Sequence, residues 1–523
     1  MSKSEKAARS VLFLIILAVT SKFLGLIRDM LMASNFGASI ISDTFFLSNT
    51  VLILITTLIT HAINTTMIPV LSKIMIDDGI SAKNKLTNNI LHIMVISSSI
   101  VVIISWIFTP FIINIFAPGF DKDQLKLMIR LIKIGLPSII LSAIAGVYRG
   151  YLHSEFKYSE ASISDLALSV INIVFLLLFS KKYGIETLMI AIIVSGFVQI
   201  FIQSIGLKTT TYRYRMILNF KDRNIKKITL LTIPVLISTG ISDLNKIIDK
   251  IMASILPEGS ISALNYANKT NTIAMGIFIT SIITVIYPML SDAASRNDMN
   301  QLKAILRRGI NSIFLITFPT TVIVLVFANP IIKLLFERGA FDSVATNMTA
   351  ESLFFYSFAL TGMALRLILI KVFYSLQDTK TPLINGIISS FLNVGLNFIL
   401  IRHMAHKGLA LATSISSLIL TVFLLISITR KIGSIDIKKI LFPAIKILLS
   451  SLIMGIIMYL LVNKLPIIYG KNAITNNWIF LVIVLLGIII YGVLICLFKI
   501  GEAQWLLMSV VSRLKNKVFV FRK

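Results

Sequence analysis

Charge is scarce in this chain, acid scarcer, and cysteine nearly absent. Only 14% of the 523 residues are Asp, Glu, Lys or Arg, where a soluble protein carries about a quarter. The lone cysteine, Cys496, sits in an apolar run. It excludes an intrachain disulfide and a cysteine-based metal site. No glycine-rich loop is followed by Lys-Ser or Lys-Thr, so the chain is not expected to hydrolyse ATP. It has no His-Glu-x-x-His helix and no nucleophile elbow. The stretches between apolar runs are short, which leaves no external domain for the catalytic acid of a glycan polymerase. A transporter rather than an enzyme is expected.

What is present is hydrophobic surface. Residues of the apolar set make up 56% of the chain, in runs of helix-spanning length from end to end. Strand-type alternation is missing, so the spans are helices. The expected fold is an all-α polytopic membrane protein with about fourteen transmembrane helices. Span two is expected from Asp43 to Met75, span three from Asn88 to Phe116, and spans eleven and twelve from Pro382 to Ile401 and Gly408 to Thr429. The first apolar run lacks a small-residue cleavage site and is read as a retained span. The net charge of +27 suits a polytopic protein whose Lys and Arg gather on the cytoplasmic side, so no nucleic-acid partner is implied. An even number of spans then puts both termini in the cytoplasm. The basic tail, with Trp505, Leu506 and Leu507, suits a helix lying on the inner leaflet.

Charge inside apolar helices costs several kcal/mol per group by insertion scales, so it normally faces a wet cavity. Span one carries Lys22, Arg28 and Asp29, and Asp43 opens span two. Lys22 and Asp29 are two turns apart on one face. Arg28 offers a fork of donors to phosphate and Lys22 a point charge. Asp29 and Asp43 are candidates to pair with these cations or to gate the cavity; Asp43 also reads as a helix cap. Span seven holds Asp243, Lys246, Asp249 and Lys250, either a self-neutralised network or a sodium or proton site. Lys269 in span eight is expected to reach the same cavity. His61, Asn64 and Arg366 are weaker cavity candidates. No metal and no cofactor beyond a coupling Na+ or proton is expected.

The chain is also duplicated at an offset of about 220 residues. Ala33-Ser34, Ser42 and Phe46 match Ala253-Ser254, Ser262 and Tyr266. Pro69-Val70-Leu71-Ser72 matches Pro288-Met289-Leu290-Ser291, and the stretch Ile115 to Asp121 matches Leu335 to Asp342 with one extra residue. Two copies in the same orientation imply an axis along the membrane normal and a substrate held between two lobes. The division is residues 1–220 for an N-lobe, 221–432 for a C-lobe, and 433–523 for two added spans and the basic tail.

Six ordered stretches, S-K-F-L-G-L-I-R-D, F-G-A-S-I-I-S-D-T-F-F, G-S-I-S-A-L-N-Y-A-N-K, L-L-F-E-R-G-A-F-D, F-Y-S-L-Q-D-T-K-T-P and G-L-A-L-A-T-S, resemble the MurJ (MviN) lipid II flippases. These belong to the multidrug/oligosaccharidyl-lipid/polysaccharide exporter superfamily. The resemblance implies two lobes around a cationic cavity, a groove for a polyprenyl tail beside the last two helices, and alternating access driven by membrane potential or sodium. It places Lys22, Arg28, Asp29, Asp43 and Lys269 at substrate-binding positions. Lys22 and Lys269 stand where the family has Arg. The family's Arg in the segment Ile53 to Thr57 is absent, and its Glu-Gly-Ala-Phe reads His61-Ala62-Ile63-Asn64. The function implied is transfer of undecaprenyl-pyrophosphate-linked peptidoglycan precursor across the bacterial cytoplasmic membrane. The alternatives are a flippase for another polyprenyl-linked glycan, such as a capsule unit, and a cation-coupled drug exporter of the same fold. The partners are lipid II or a related glycolipid and the membrane lipids.

Overall fold

The computed structural model describes residues 3–469 and 477–501; certain side chains inside helices, among them His61, Asn64 and Asp243, lie outside the described set. The tail expected on the inner leaflet also lies outside it. All regular structure among the described residues is helical. Two compact units form: one runs to Asn265 and includes Phe336–Ala345, the other comprises Tyr266–Leu335 and the chain from Thr346 onward.

The first unit begins with α1 (Lys3–Phe36), α2 (Ile40–Asp77) and α3 (Gly79–Phe116). Gly37, at φ +63°, ends α1 by returning its N–H to the Ala33 carbonyl at 2.8 Å, a left-handed helix cap that glycine adopts without strain. Ser39 then caps α2 in a box with Ser42. Asp43 is therefore not the cap of its own helix, because the Ser39–Ser42 exchange starts α2 three residues earlier than hydropathy suggests. The fourth span is broken at Pro137 into α4 (Lys122–Gly135) and α5 (Ser138–Ser154). Next come α6 (Tyr158–Leu178), the single turn α7 (Ser180–Tyr183), α8 (Glu186–Lys208) and α9 (Arg223–Ala253). α1 packs on α6, α2 lies between α5 and α9, and α6 packs on α8. Met67, Leu71, Leu86, Val147, Tyr151 and Leu207 form the core where α2, α3, α5 and α8 meet.

The second unit holds most of α10 (Ser260–Ser295), α11 (Met299–Phe336), α12 (Ser343–Ser357), α13 (Ala359–Ser375), α14 (Lys380–Ile432), α15 (Lys438–Tyr469) and α16 (Asn477–Leu497). Its core is Leu290, Leu306, Ile313, Leu369, Phe373, Leu424 and Ile428. α14 is 53 residues long, about 80 Å of helix and far more than a bilayer's hydrocarbon of about 30 Å. It breaks at Ala405, whose φ of +49° and ψ of −131° are not helical. The break falls between the two spans expected there. Neither glycine nor proline marks it, although Gly408 follows closely enough that a Cβ would meet the Leu400 carbonyl oxygen at 2.4 Å.

Among the described residues nine helices are long and apolar enough to cross a membrane, or ten if the bent pair α12–α13 is one span. Exposed side chains repeat along them at helical spacing. Ile103, Ile107 and Phe111 make such a stripe on α3, as do Leu485, Ile489 and Val493 on α16. Stripes of this length suit hydrocarbon rather than water. The fold is thus an all-helical, multi-pass membrane fold.

Candidate functional site

The charges of α1 lie in the first unit. Arg28 turns back on its neighbour: Nη2 and Nε donate to Asp29 Oδ1 at 2.7 and 3.0 Å. Asp29 is buried and Arg28 half-buried. A desolvated ion pair of this kind is held by its own hydrogen bonds. Among the described residues Nη1 of Arg28 has no protein partner, so the fork keeps donors for an anion. Lys22 is half-buried one turn and a half before it on the same helix.

α9 is tied to α2 by Lys250, whose Nζ donates to Thr50 Oγ1 at 2.6 Å and lies 3.4 Å from the Phe46 carbonyl oxygen. Lys246 is exposed and Asp249 half-buried on the same helix. The side chains of Asp243, His61 and Asn64 lie outside the described residues. In the second unit Lys269 is exposed on α10, and Arg366 is half-buried on α13. The buried Nε of Arg366 has no hydrogen-bond partner among the described residues.

Asp43 does not join Lys22 or Arg28. Its carboxylate accepts the Gly259 N–H at 2.8 Å, the Ser262 N–H at 2.7 Å and the Ser262 hydroxyl at 2.5 Å. It thereby satisfies the orphan donors at the start of α10 and lies at the positive end of that helix. Glu258 answers from the other side, where its Oε1 accepts the Ile40 N–H at the start of α2 at 2.9 Å. The start of α10 is thus met by an acid of α2, and the start of α2 by an acid of the turn before α10.

Glycines let the surrounding turns close on this pair. A Cβ on Gly339 would come within 2.3 Å of the Ser34 carbonyl oxygen, and one on Gly119 within 2.3 Å of the Ser254 carbonyl oxygen. Ser34 also accepts the Ala340 N–H at 2.8 Å. The turns after α1, α3, α9 and α11 therefore meet in one clasp. Sequence reasoning found its motifs as a repeat but missed Glu258 and Ser262 as members. The available signal was the glycine recurring at the repeat offset in F-A-P-G-F-D and F-E-R-G-A-F-D. Among the described residues no three His, Cys, Asp or Glu side chains converge as a metal site would.

Comparison with known proteins gives the arrangement a context. A family model described as lipid II flippase MurJ matches residues 32–477. A probable lipid II flippase of Rickettsia prowazekii is 28% identical over 413 residues, covering 78% of this chain and 81% of the relative. One of Buchnera aphidicola subsp. Schizaphis graminum is 30% identical over 423 residues, covering 78% and 80%. A solved structure of a lipid II flippase MurJ in an inward closed conformation has a TM-score of 0.78 at 26% identity, covering 93% of this chain and 98% of that one. An inward-facing multidrug resistance transporter of the MATE family, at 13% identity and a TM-score of 0.69, shares the fold alone.

Proposed function

Because this chain belongs to the lipid II flippase MurJ family, we propose that it carries lipid II from the inner to the outer leaflet of the bacterial cytoplasmic membrane. The Arg28–Asp29 pair supports this reading most. It is a guanidinium held in place on an apolar helix, with donors still open to a pyrophosphate. Lys22 adds a second cation on the same helix, and Lys269 is carried as a further phosphate contact by its position in the family motif. The head group crosses through hydrated protein while the polyprenyl tail stays in lipid, which avoids the cost of taking sugar and peptide groups through hydrocarbon.

The Asp43 clasp acts as a gate in this reading. It joins turns that lie on the outer side if both termini are cytoplasmic, and it must part for the substrate to leave. Transport without nucleotide then draws on the membrane potential, worth about 2.3 kcal/mol per charge per 100 mV, or on an ion moving past Asp249 and its lysines.

The span-two departures, with no Arg between Ile53 and Thr57 and no Glu at His61, favour a second reading in which the glycan is a different one. A binding assay separates the two. Purified protein is titrated with lipid II and, in parallel, with a capsule-type polyprenyl-pyrophosphate glycan. The lipid II reading expects tighter binding of lipid II and a loss of about tenfold or more in Arg28→Ala, the worth of one charge-assisted hydrogen bond. Preference for the other glycan sinks it.

A further inference from the structure

In the second unit, where α11 and α15 begin, Arg307, Arg308, Lys438 and Lys439 line a cavity of about 450 Å³ with Asn311 and Phe442. Acid is scarce there. Asp436 takes Lys439 at 2.8 Å and lies 4.0 Å from Arg307. The Lys439 hydrogen bond, more than the neighbouring charges, holds its carboxyl below the usual carboxylate range. Among the described residues Arg308 and Lys438 make no ion pair, and both are exposed. Beneath them the wall is fixed, because buried Asn311 donates its Nδ2 to the Lys439 carbonyl at 3.1 Å.

The surface below the cations is apolar and open. Leu441, Ile445, Leu448, Leu452 and Ile456 are all exposed and recur at spacings of three and four along α15, which puts them on one face of the helix. A cationic cup therefore stands at the head of a hydrocarbon stripe.

We propose that this cup and stripe bind one anionic glycerophospholipid, with its phosphodiester among Arg308, Lys438 and Arg307 and its acyl chains along α15. A zwitterionic lipid would bring an ammonium into a site already rich in cations. Free phosphate would leave the stripe unused. Both helices begin on the side expected to be cytoplasmic, whose leaflet holds anionic lipid, and each Lys or Arg near that surface adds to its attraction. The site uses neither Lys22 nor Arg28 and does not rest on the transport reading.

The test uses the full chain in detergent, with retained lipid measured by native mass spectrometry. Wild type is offered phosphatidylglycerol or phosphatidylethanolamine, with and without excess inorganic phosphate. The double variant Arg308→Gln/Lys438→Gln removes two exposed cations that make no ion pair among the described residues. Lys181→Gln/Lys182→Gln removes the same charge elsewhere. The expected result is preference for phosphatidylglycerol, weakened about thirtyfold in the first variant, intact in the second and resistant to phosphate. Equal retention by the first variant, an equal loss in the second, or full displacement by phosphate would each overturn the proposal. Matching thermal midpoints of the three proteins show that any loss comes from the site.

Discussion

Ser42 and Ser262 are 220 residues apart in the chain, and their hydroxyl oxygens are 2.8 Å apart in the structure. That separation is the offset of the internal repeat, so the two serines are counterparts. Related positions touch each other only near the axis that relates them. The glycine contacts repeat the pattern on either side: Gly119 faces Ser254 as Gly339 faces Ser34, each with 2.3 Å between a would-be Cβ and a carbonyl oxygen. The duplication read in the sequence is thus, at this end of the molecule, a set of reciprocal contacts.

A disulfide across this pair tests whether the contact opens during transport. The variant is Ser42→Cys/Ser262→Cys with Cys496→Ala, and the hydroxyl spacing lets the Cβ atoms take the roughly 3.8 Å a disulfide prefers. Oxidised protein in vesicles is expected to stop translocating lipid II, and reduction to restore it. Full translocation by the oxidised form would mean that the clasp is static.

A buried ion pair in the first unit carries a stability prediction. The Lys83 side chain is 1% exposed, pairs with Glu155, and holds its ammonium 4.6 Å from the centre of the Tyr151 ring. Removing one partner strands the other's charge, so Glu155→Ala is expected to destabilise by about 3–5 kcal/mol. Lys83→Met/Glu155→Gln is expected to recover most of that loss. Thermal midpoints of the wild type and these two variants check it, and a double variant no more stable than Glu155→Ala would contradict it.

Asp378, between α13 and α14, gives a pH dependence. It accepts the Lys431 ammonium at 2.5 Å, the Thr381 N–H at 3.0 Å and the Thr381 hydroxyl at 2.8 Å. The Lys431 hydrogen bond first, then that of the Thr381 backbone, hold its carboxyl at about 2, from an ordinary 3.8. A carboxyl lowered in the folded state stabilises it above the ordinary value, and the contribution fades as pH falls from there toward 2. Asp378→Asn is therefore expected to melt below wild type at neutral pH, by about 1 kcal/mol for a cap of this kind. Circular dichroism melts should show that gap narrowing below about pH 4; a gap indifferent to pH would contradict the assignment.

Much of this was legible in the sequence, and the exceptions have physical causes. Hydropathy located the helices because the bilayer demands long apolar runs. It could not place Lys83, which falls before the expected start of span three at Asn88. α3 begins at Gly79 and buries Lys83 only because Glu155, far along the chain, is there to meet it. Charge inside α1 was visible, and so was the neighbour that Arg28 would take. The partners of Asp43 were not, since they are 216 and 219 residues away and an aspartate near a helix start has a local role of its own. The interval between Ile401 and Gly408 was legible as a break, but Ala405 as the residue that makes it was not, because an alanine there carries no signal of a left-handed backbone.

In the proposed function Arg28 holds the pyrophosphate of lipid II during transport. The most direct measurement is growth of a bacterium depleted of its own lipid II flippase and supplied with this chain or with Arg28→Ala, both verified in the membrane. Growth is expected with the wild-type chain and none with Arg28→Ala. Full growth with the variant, or none with the wild type, would contradict it.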